Sequence, residues 1–297
     1  MLLVAAVAVA LPAASLLAAL CAPLFGFSFH EVAQGAAADN PSLSRYLLVV
    51  QSVAIFLLPP FLAAMLIAPR RAAVLLGIRR KPLPMNVLRS LFVVLAAVPF
   101  ISFAASANAL LPLPQWATDM EAAAAQLTEQ LLMAADANDF LLNLLAMALL
   151  PAVGEELFFR GYVQRVVQGW IKNPHAAIFA AAVFFSAFHL QFAGFLPRFL
   201  LGAVLGYLFY WSGSLWLSVA AHFANNAIAV CAYFYAAHRS IPIDAEQLDT
   251  ALQGSTFTAL LSVGITAYFM FGVFLTEKMR RKGRLGRKRD SSKNFDL

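Results

Sequence analysis

The chain has 297 residues, of which 62% are hydrophobic and only 12% are charged. Because a soluble domain carries roughly 25% charged residues, this composition excludes an ordinary soluble protein and predicts a polytopic membrane protein. The formal net charge of +6 is accounted for by the segment from Glu277 to Leu297, with nine basic and three acidic residues. Such a cluster favours contact with anionic lipid headgroups over nucleic-acid binding.

Apolar runs in the first half predict three membrane-spanning helices and one surface helix. The run Leu2–Phe29 is long enough to cross a bilayer, which needs about 20 residues, and it lacks the basic start of a cleaved signal peptide. The next two crossings lie between Arg45 and Arg70 and between Arg89 and Asp119. In the polar segment Thr118–Asp139, apolar residues at helical spacing predict an amphipathic helix on the membrane surface. They are Met120, Ala124, Leu127, Leu131 and Leu132.

Five further crossings are predicted in the second half. The fourth begins near Phe140 and contains Pro151 and Gly154, which are expected to kink or loosen it. The fifth lies between Lys172 and Arg198. The forty residues from Phe199 to His238 lack Asp, Glu, Lys and Arg and are divided at Ser212-Gly213-Ser214, which gives the sixth and seventh. The eighth lies between Asp249 and Glu277.

Basic residues indicate the orientation of these helices, because Lys and Arg accumulate in cytoplasmic loops. Six lie between Arg70 and Arg89, three between Arg160 and Lys172, and nine in the C-terminal tail, whereas Ser90 to Phe159 contains none. Eight crossings with both termini in the cytoplasm fit this alternation. For the tail, a topology signal with no ligand is the simplest interpretation.

Two adjacent carboxylates, Glu155 and Glu156, stand directly after the apolar run of the fourth crossing. An ionisable residue in such a segment indicates a functional site. On a helix, Glu156 and Arg160 share a face and can form an ion pair, whereas Glu155 points roughly 100° away. Of the two adjacent carboxylates, one is therefore expected to be structural and the other chemical. For Arg160, a charge that reaches towards the cytoplasmic surface is the alternative interpretation.

Two histidines and an asparagine lie in other apolar segments. Phe185 and His189 share one helix face, and so do His222 and Asn226. A single intramembrane histidine is more often a partner in helix packing than a catalyst, and Phe185 is expected to be a packing residue. Several such polar groups together cost several kcal/mol unless they satisfy one another around a watery cavity.

Three kinds of chemistry fit these residue types. A carboxylate beside an imidazole can take a proton from water, while a neighbouring N–H group holds the oxyanion that forms when that water attacks a peptide carbonyl. Alternatively, Glu155, His189 and His222 can be three ligands of a zinc ion, although the helical His-Glu-x-x-His signature is missing. Intramembrane Glu and His also form proton relays in transporters.

The ordered motifs resemble those of the intramembrane endopeptidases that include the type II CAAX prenyl proteases and the bacterial CPBP (Abi) proteins. They are Glu155-Glu156-x-x-x-Arg160, Phe185-x-x-x-His189 and His222-x-x-x-Asn226. The resemblance implies an all-α bundle of about eight transmembrane helices with a water-filled catalytic cavity, and a glutamate-dependent peptidase, although family members are often described as metalloproteases. It divides the chain into N-terminal helices with the surface helix (1–139), a catalytic core (140–235), and a last helix with a basic tail (236–297).

The resemblance also implies a role for each motif residue. Glu155 activates water with the help of His189, His222 and Asn226 form the oxyanion site, and Glu156 with Arg160 braces the helix. No cofactor is expected, with zinc at Glu155, His189 and His222 as the alternative. The implied partners are a peptide or lipidated peptide and membrane lipids, and the expected location is the bacterial inner membrane.

The distances from the predicted loops give different membrane depths for Glu155 and His189. At about 1.5 Å per residue, Glu155 lies roughly 24 Å from Asp139 at the outer end, and His189 lies roughly 25 Å from Lys172 at the inner end. These values place the two groups at different depths. The conflict disappears if the fourth and fifth helices extend well into the cytoplasm between Arg160 and Lys172.

Overall fold

The structure, a computed structural model, describes residues 2–33, 40–132, 136–239 and 255–293, with side chains from residue 12 to residue 283 of these ranges. In them all regular structure is helical. The longer helices are α1 (Leu2–Cys21), α2 (Pro41–Ile67), α3 (Pro84–Ala109), α4 (Gln115–Leu132), α5 (Ala137–Ile171), α6 (Pro174–Phe188), α7 (Phe195–Ser212), α8 (Leu215–His238) and α9 (Thr256–Lys293). Short helical turns lie at Ala22–Phe25, Phe29–Ala33, Pro69–Arg71 and Ala72–Leu75.

Six helices in the described part of the chain are long and apolar enough to cross a membrane, namely α2, α3, α5, α7, α8 and α9 up to Gly283. Two shorter apolar helices, Pro12–Phe25 and α6, stand where the first and fifth crossings are predicted. The all-α, polytopic membrane fold is thereby confirmed. Asp249, the predicted start of the eighth crossing, lies outside the described residues, as do positions 133–135 of the predicted surface helix.

One of the buried apolar clusters of the bundle lies between α3, α7, α8 and α9. It contains the buried side chains Val94, Leu201, Leu205, Leu208, Leu217, Ala221 and Val273. Many large apolar side chains of the outer helix faces are instead exposed, including Leu66 at 85% and Leu260 at 68%. Because an aqueous surface rarely carries so much apolar area in one patch, these faces fit a lipid environment.

Helix α5 is the longest span and reaches well beyond the apolar run that predicted it. Its 35 residues extend about 52 Å, more than the roughly 30 Å of a hydrocarbon core. The predicted loosening at Pro151 takes the form of a π-helical segment, Leu144–Leu149, directly before it. A second π-helical segment, Leu157–Val163, follows the two carboxylates. Such segments interrupt the regular hydrogen-bond ladder and often occur at functional sites.

A tight turn joins α5 to α6 and removes the conflict in depth. Lys172 adopts a left-handed conformation with φ of 57°, and the Asn173 side chain accepts hydrogen bonds from the backbone N–H groups of His175 and Ala176. Counted from this turn, Glu155 lies about 24 Å back along α5 and His189 about 22 Å along α6. The two groups therefore stand at similar depth, because α5 continues past Arg160.

Candidate active site

Glu155 and Glu156 lie in the α-helical turn Leu150–Glu156, between the two π-helical segments of α5. Gly154 allows α2 to pack closely against this turn, since a Cβ atom on Gly154 would come within 3.0 Å of the Phe56 Cβ. The Glu156 side chain is fully buried and Glu155 is nearly so. The sequence thus places both carboxylates inside the bundle.

Glu156 forms the predicted pair with Arg160. Its Oε1 atom accepts a hydrogen bond from Arg160 Nη1 at 2.6 Å. Arg160 is only 1% exposed, and its Nη2 donates to the Gly202 carbonyl of α7 at 3.0 Å. The alternative in which Arg160 extends to the membrane surface is therefore wrong, because its guanidinium is held inside the bundle by two partners.

His222 contacts both carboxylates. Its Nδ1 lies 2.8 Å from Glu156 Oε1, and its Nε2 lies 3.8 Å from Glu155 Oε2. The contact with Glu156 was not anticipated from the sequence, where Glu156 is assigned to Arg160 alone. No local signal marks it, because the two residues are 66 positions apart and helical spacing reports only on neighbours within one helix.

His189 approaches Glu155 from the end of α6. It is the C-terminal cap of that helix, and the following residue, Leu190, has a left-handed backbone with φ of 53°. His189 Nδ1 lies 2.8 Å from the Phe185 carbonyl, and its Nε2 lies 3.9 Å from Glu155 Oε2. The site therefore joins three residues from three helices around one carboxylate oxygen.

The partners of the two Nδ1 atoms require that this ring nitrogen carries a hydrogen in both imidazoles. A carbonyl and a carboxylate oxygen only accept hydrogen bonds, so His189 and His222 each donate from Nδ1. In the neutral form each ring then presents the Nε2 lone pair towards Glu155 Oε2. That oxygen is buried and has no hydrogen-bond partner among the described residues.

Phe185 forms the wall behind both histidines. It is 2% exposed, and its ring lies 5.1 Å from the His189 ring and 5.7 Å from the His222 ring, both edge-on. The Arg160 guanidinium lies over it at 4.6 Å, a cation–π contact. The predicted packing role of Phe185 is confirmed, and this packing orients the two imidazoles.

Asn226 stands one helical turn beyond His222 on α8. Its amide donates to the Met147 carbonyl of α5 at 3.5 Å, and Asn225 donates to its oxygen at 3.2 Å. Because Met147 belongs to the first π-helical segment of α5, this contact places the Asn226 amide against that segment.

The turn after His189 is fixed by residues that the sequence analysis did not single out. Asn108 at the end of α3 donates to the carbonyls of Phe192 and Ala193, each at 2.8 Å, and Glu121 of α4 accepts from the Ala193 N–H at 2.9 Å. Asn108 is buried. The sequence signal for Asn108 was its position as a polar residue within an apolar run, since buried polar groups require partners.

Two glycines of α7 allow close contact with the polar face of α5. Arg160 donates to the Gly202 carbonyl, and Gln164 donates to the Gly206 carbonyl at 3.2 Å. A Cβ atom on Gly202 would lie 3.1 Å from the Ala182 Cβ and 3.2 Å from a Phe185 ring carbon. The spacing between α7 and α6 therefore depends on the absence of a side chain there.

We expect Gly202→Ala to lower the stability of the protein by about 1–3 kcal/mol, the usual cost of overpacking. Because the added methyl presses on Phe185, it should also displace the rings of His189 and His222, which pack against Phe185. Thermal unfolding in detergent measures the loss of stability. Gly169→Ala is the matched control: no atom lies within 4 Å of its added Cβ, so it should gain up to about 1 kcal/mol. Equal behaviour of the two variants would contradict this account.

Zinc held by Glu155, His189 and His222 is the alternative that the sequence leaves open. In the parts of the chain that the structure describes, no group of three or more His, Cys, Asp and Glu side chains is placed to hold a metal ion. The Nδ1 contacts of the two histidines do not argue against a metal, because a metal-bound histidine usually donates its other ring nitrogen to a carbonyl or carboxylate oxygen. Zinc therefore stays the alternative to a metal-free mechanism.

Comparison with known proteins gives a family for the segment that holds the site. Residues 137–228 match the family described as type II CAAX prenyl endopeptidase Rce1-like, and this range contains all three motifs. Over 93 residues the chain is 27% identical to the uncharacterized protein YpbD of Bacillus subtilis (strain 168), which covers 30% of this chain and 44% of YpbD. The chain thus matches less than half the length of this curated relative. No solved structure matches it significantly.

Proposed function

We propose that this chain, which carries an Rce1-like domain at residues 137–228, is an intramembrane endopeptidase that hydrolyses peptide bonds with a water molecule activated by Glu155. One observation carries the proposal. Glu155 Oε2, which is buried and has no hydrogen-bond partner in the described parts of the chain, faces the Nε2 atoms of two histidines whose Nδ1 atoms are already engaged. A carboxylate inside a membrane bundle costs folding free energy, and its presence there therefore indicates a functional site.

The spacing of these atoms suits a bridging water. Separations of 3.8 and 3.9 Å exceed direct hydrogen-bond length, and contacts of this length are commonly bridged by water. In the proposed reaction Glu155 accepts a proton from the water, assisted by His189, and the water oxygen attacks the peptide carbonyl carbon. When the C–N bond breaks, the proton is delivered to the leaving amine.

His222 and Asn226 are proposed to hold the oxyanion. Because Nδ1 of His222 donates to Glu156, its Nε2 can donate only when the ring is an imidazolium. The neighbouring Glu156 carboxylate stabilises that charge.

The proposed substrate is a membrane-associated peptide or a lipidated peptide, since the site lies within a membrane bundle and the family is named for prenyl endopeptidases. The proposed location is the bacterial inner membrane with both termini in the cytoplasm, as the distribution of basic residues predicts. Membrane lipids are the second partner, and no nucleic acid is expected.

The test is a cleavage assay on purified protein in proteoliposomes, with a peptide library that includes C-terminally prenylated members and with mass spectrometry of the products. We expect discrete cleavage products that persist after exhaustive chelation, with far less than one zinc per chain by metal analysis. Loss of cleavage on chelation and its recovery with zinc would support the zinc alternative instead. Proton-driven solute uptake in sealed vesicles without any cleavage would indicate a transporter and overturn both peptidase mechanisms.

A further inference from the structure

A cavity of about 250 Å³ lies between the end of α7 and the last turns of the membrane span of α9. It shares no residue with the candidate active site. Its lining consists of Trp211, Phe274, Glu277, Lys278, Arg281 and Lys282. The cavity therefore combines aromatic walls with a cluster of basic side chains.

The walls are formed by Trp211 and Phe274. Their rings meet edge-on with centroids 5.5 Å apart, and Lys278 extends over Phe274 with its Nζ 5.3 Å from the ring centroid. Outside the cavity, the exposed side chains of Phe271 and Leu275 continue the apolar surface along α9. These side chains form a continuous apolar surface that suits the apolar chain of a ligand.

The rim carries a net positive charge. Lys278, Arg281 and Lys282 follow each other at i, i+3 and i+4 on one helix face and are exposed. The single carboxylate, Glu277, is 1% exposed and already accepts hydrogen bonds from Arg80 at 2.9 Å and Asn86 at 3.0 Å. Its charge is therefore compensated before any ligand binds.

Arg281 connects the two helices that enclose the cavity. Its Nη2 donates to the carbonyls of Tyr210 and Trp211 at 2.9 and 2.8 Å, which satisfies the C-terminal end of α7. Lys278 and Lys282 flank this fixed guanidinium. They are thus placed to meet an anionic group at the mouth of the cavity.

The position along α9 identifies the class of ligand. The apolar run of α9 gives way to basic residues from Lys278 onward, and basic residues at the end of an apolar span are expected at the level of the lipid headgroups. The lysines lie on the same side as the basic connection between α2 and α3, since Arg280 donates to the Lys81 carbonyl. Basic pockets between transmembrane helices at this level are typical sites for acidic lipid headgroups.

We propose that this cavity binds an anionic phospholipid, whose phosphate is held by Lys278 and Lys282 and whose acyl chain runs along Trp211, Phe274 and Phe271. The volume holds the phosphate, the glycerol and the first methylene groups, and the remaining chain lies on the outer face of α9. The lipid would join the C-terminal end of α7 to α9. The N-terminal end of α7, next to the turn that follows His189, lies at the other end of that helix. This site is independent of the proposed peptidase reaction.

The test uses proteoliposomes that contain phosphatidylglycerol or phosphatidylcholine with brominated acyl chains, which quench nearby tryptophans. The chain has four tryptophans, so the Trp211 signal is the difference between wild type and Trp211→Phe. We expect this signal to be quenched at a lower mole fraction of phosphatidylglycerol than of phosphatidylcholine. Lys278→Gln with Lys282→Gln should reduce the preference by about fivefold per lysine, the usual contribution of a basic residue near an anionic membrane.

The matched control removes two exposed charges elsewhere, with Arg70→Gln and Arg71→Gln, and should leave the preference unchanged. An equal loss in this control, or equal quenching of Trp211 by the two lipids, would overturn the proposal. If the lysine variant fails to fold, the wild-type protein still tests the idea. Raised salt should weaken the phosphatidylglycerol preference, because headgroup contacts at the surface are screened, and a preference that salt does not change would contradict the site.

Discussion

Glu155→Gln should lower the rate of peptide cleavage by about 10²–10⁴-fold, the usual contribution of a general base. An amide has nearly the same shape as the carboxylate but cannot accept the proton of the attacking water. Folding should be retained, because Glu155 Oε2 has no hydrogen-bond partner among the described side chains. Initial rates in proteoliposomes and thermal unfolding in detergent separate the two effects.

The matched control is Glu129→Gln in α4, which makes the same chemical change away from the motifs and should keep the full rate. His189→Ala should also abolish cleavage, because both groups act on the same water. Near-wild-type turnover in either the Glu155 or the His189 variant would refute the assignment.

Arg160→Met should destabilise the protein by about 3–5 kcal/mol, the cost of removing one partner of a buried ion pair. The change removes the hydrogen bonds to Glu156 and to the Gly202 carbonyl and leaves Glu156 fully buried. Free energies of unfolding in mixed detergent micelles measure the loss. Arg79→Met removes a charge of the same kind from an exposed position and should change the free energy of unfolding by less than about 0.5 kcal/mol.

A double-mutant cycle extends this prediction to Glu156. Glu156→Gln combined with Arg160→Met should be less destabilised than the sum of the single variants, with a coupling of about 0.5–3 kcal/mol, since contacting residues are not additive. Strict additivity would show that the 2.6 Å contact contributes nothing to stability.

The sequence revealed those parts of the site that lie within one helix. Glu156 and Arg160 are four residues apart on α5, and helical periodicity alone brings them together. The contact between Glu156 and His222 could not be predicted in this way, because it depends on how α8 packs against α5. As a result the sequence assigned Glu156 one partner, whereas the fold gives it two.

Helix ends and π-helical segments were the features hardest to predict from the sequence. The apolar run from Lys172 to Arg198 predicted a crossing with His189 inside it, whereas α6 has 15 residues and His189 caps its end. The helix ends at Phe188, and Leu190 follows the cap with a left-handed backbone that is usually adopted by glycine or asparagine. The two π-helical segments of α5 likewise have no marker in the amino-acid pattern except Pro151. The roles of the site residues in catalysis remain predictions.

Because the chain reverses at Lys172-Asn173, the position of His189 depends on the exact number of residues in α6. Both Glu155 and His189 are counted from this turn, so one residue inserted between Pro174 and Phe188 would shift His189 by about 1.5 Å and rotate it by about 100°. The imidazole would then leave the carboxylate altogether. Insertions within the turn would instead leave the register of each helix intact. Even a whole added turn of α6 would restore the direction of the imidazole but move it about 5.4 Å along the helix axis, so the contact with Glu155 fixes the number of residues between this turn and His189.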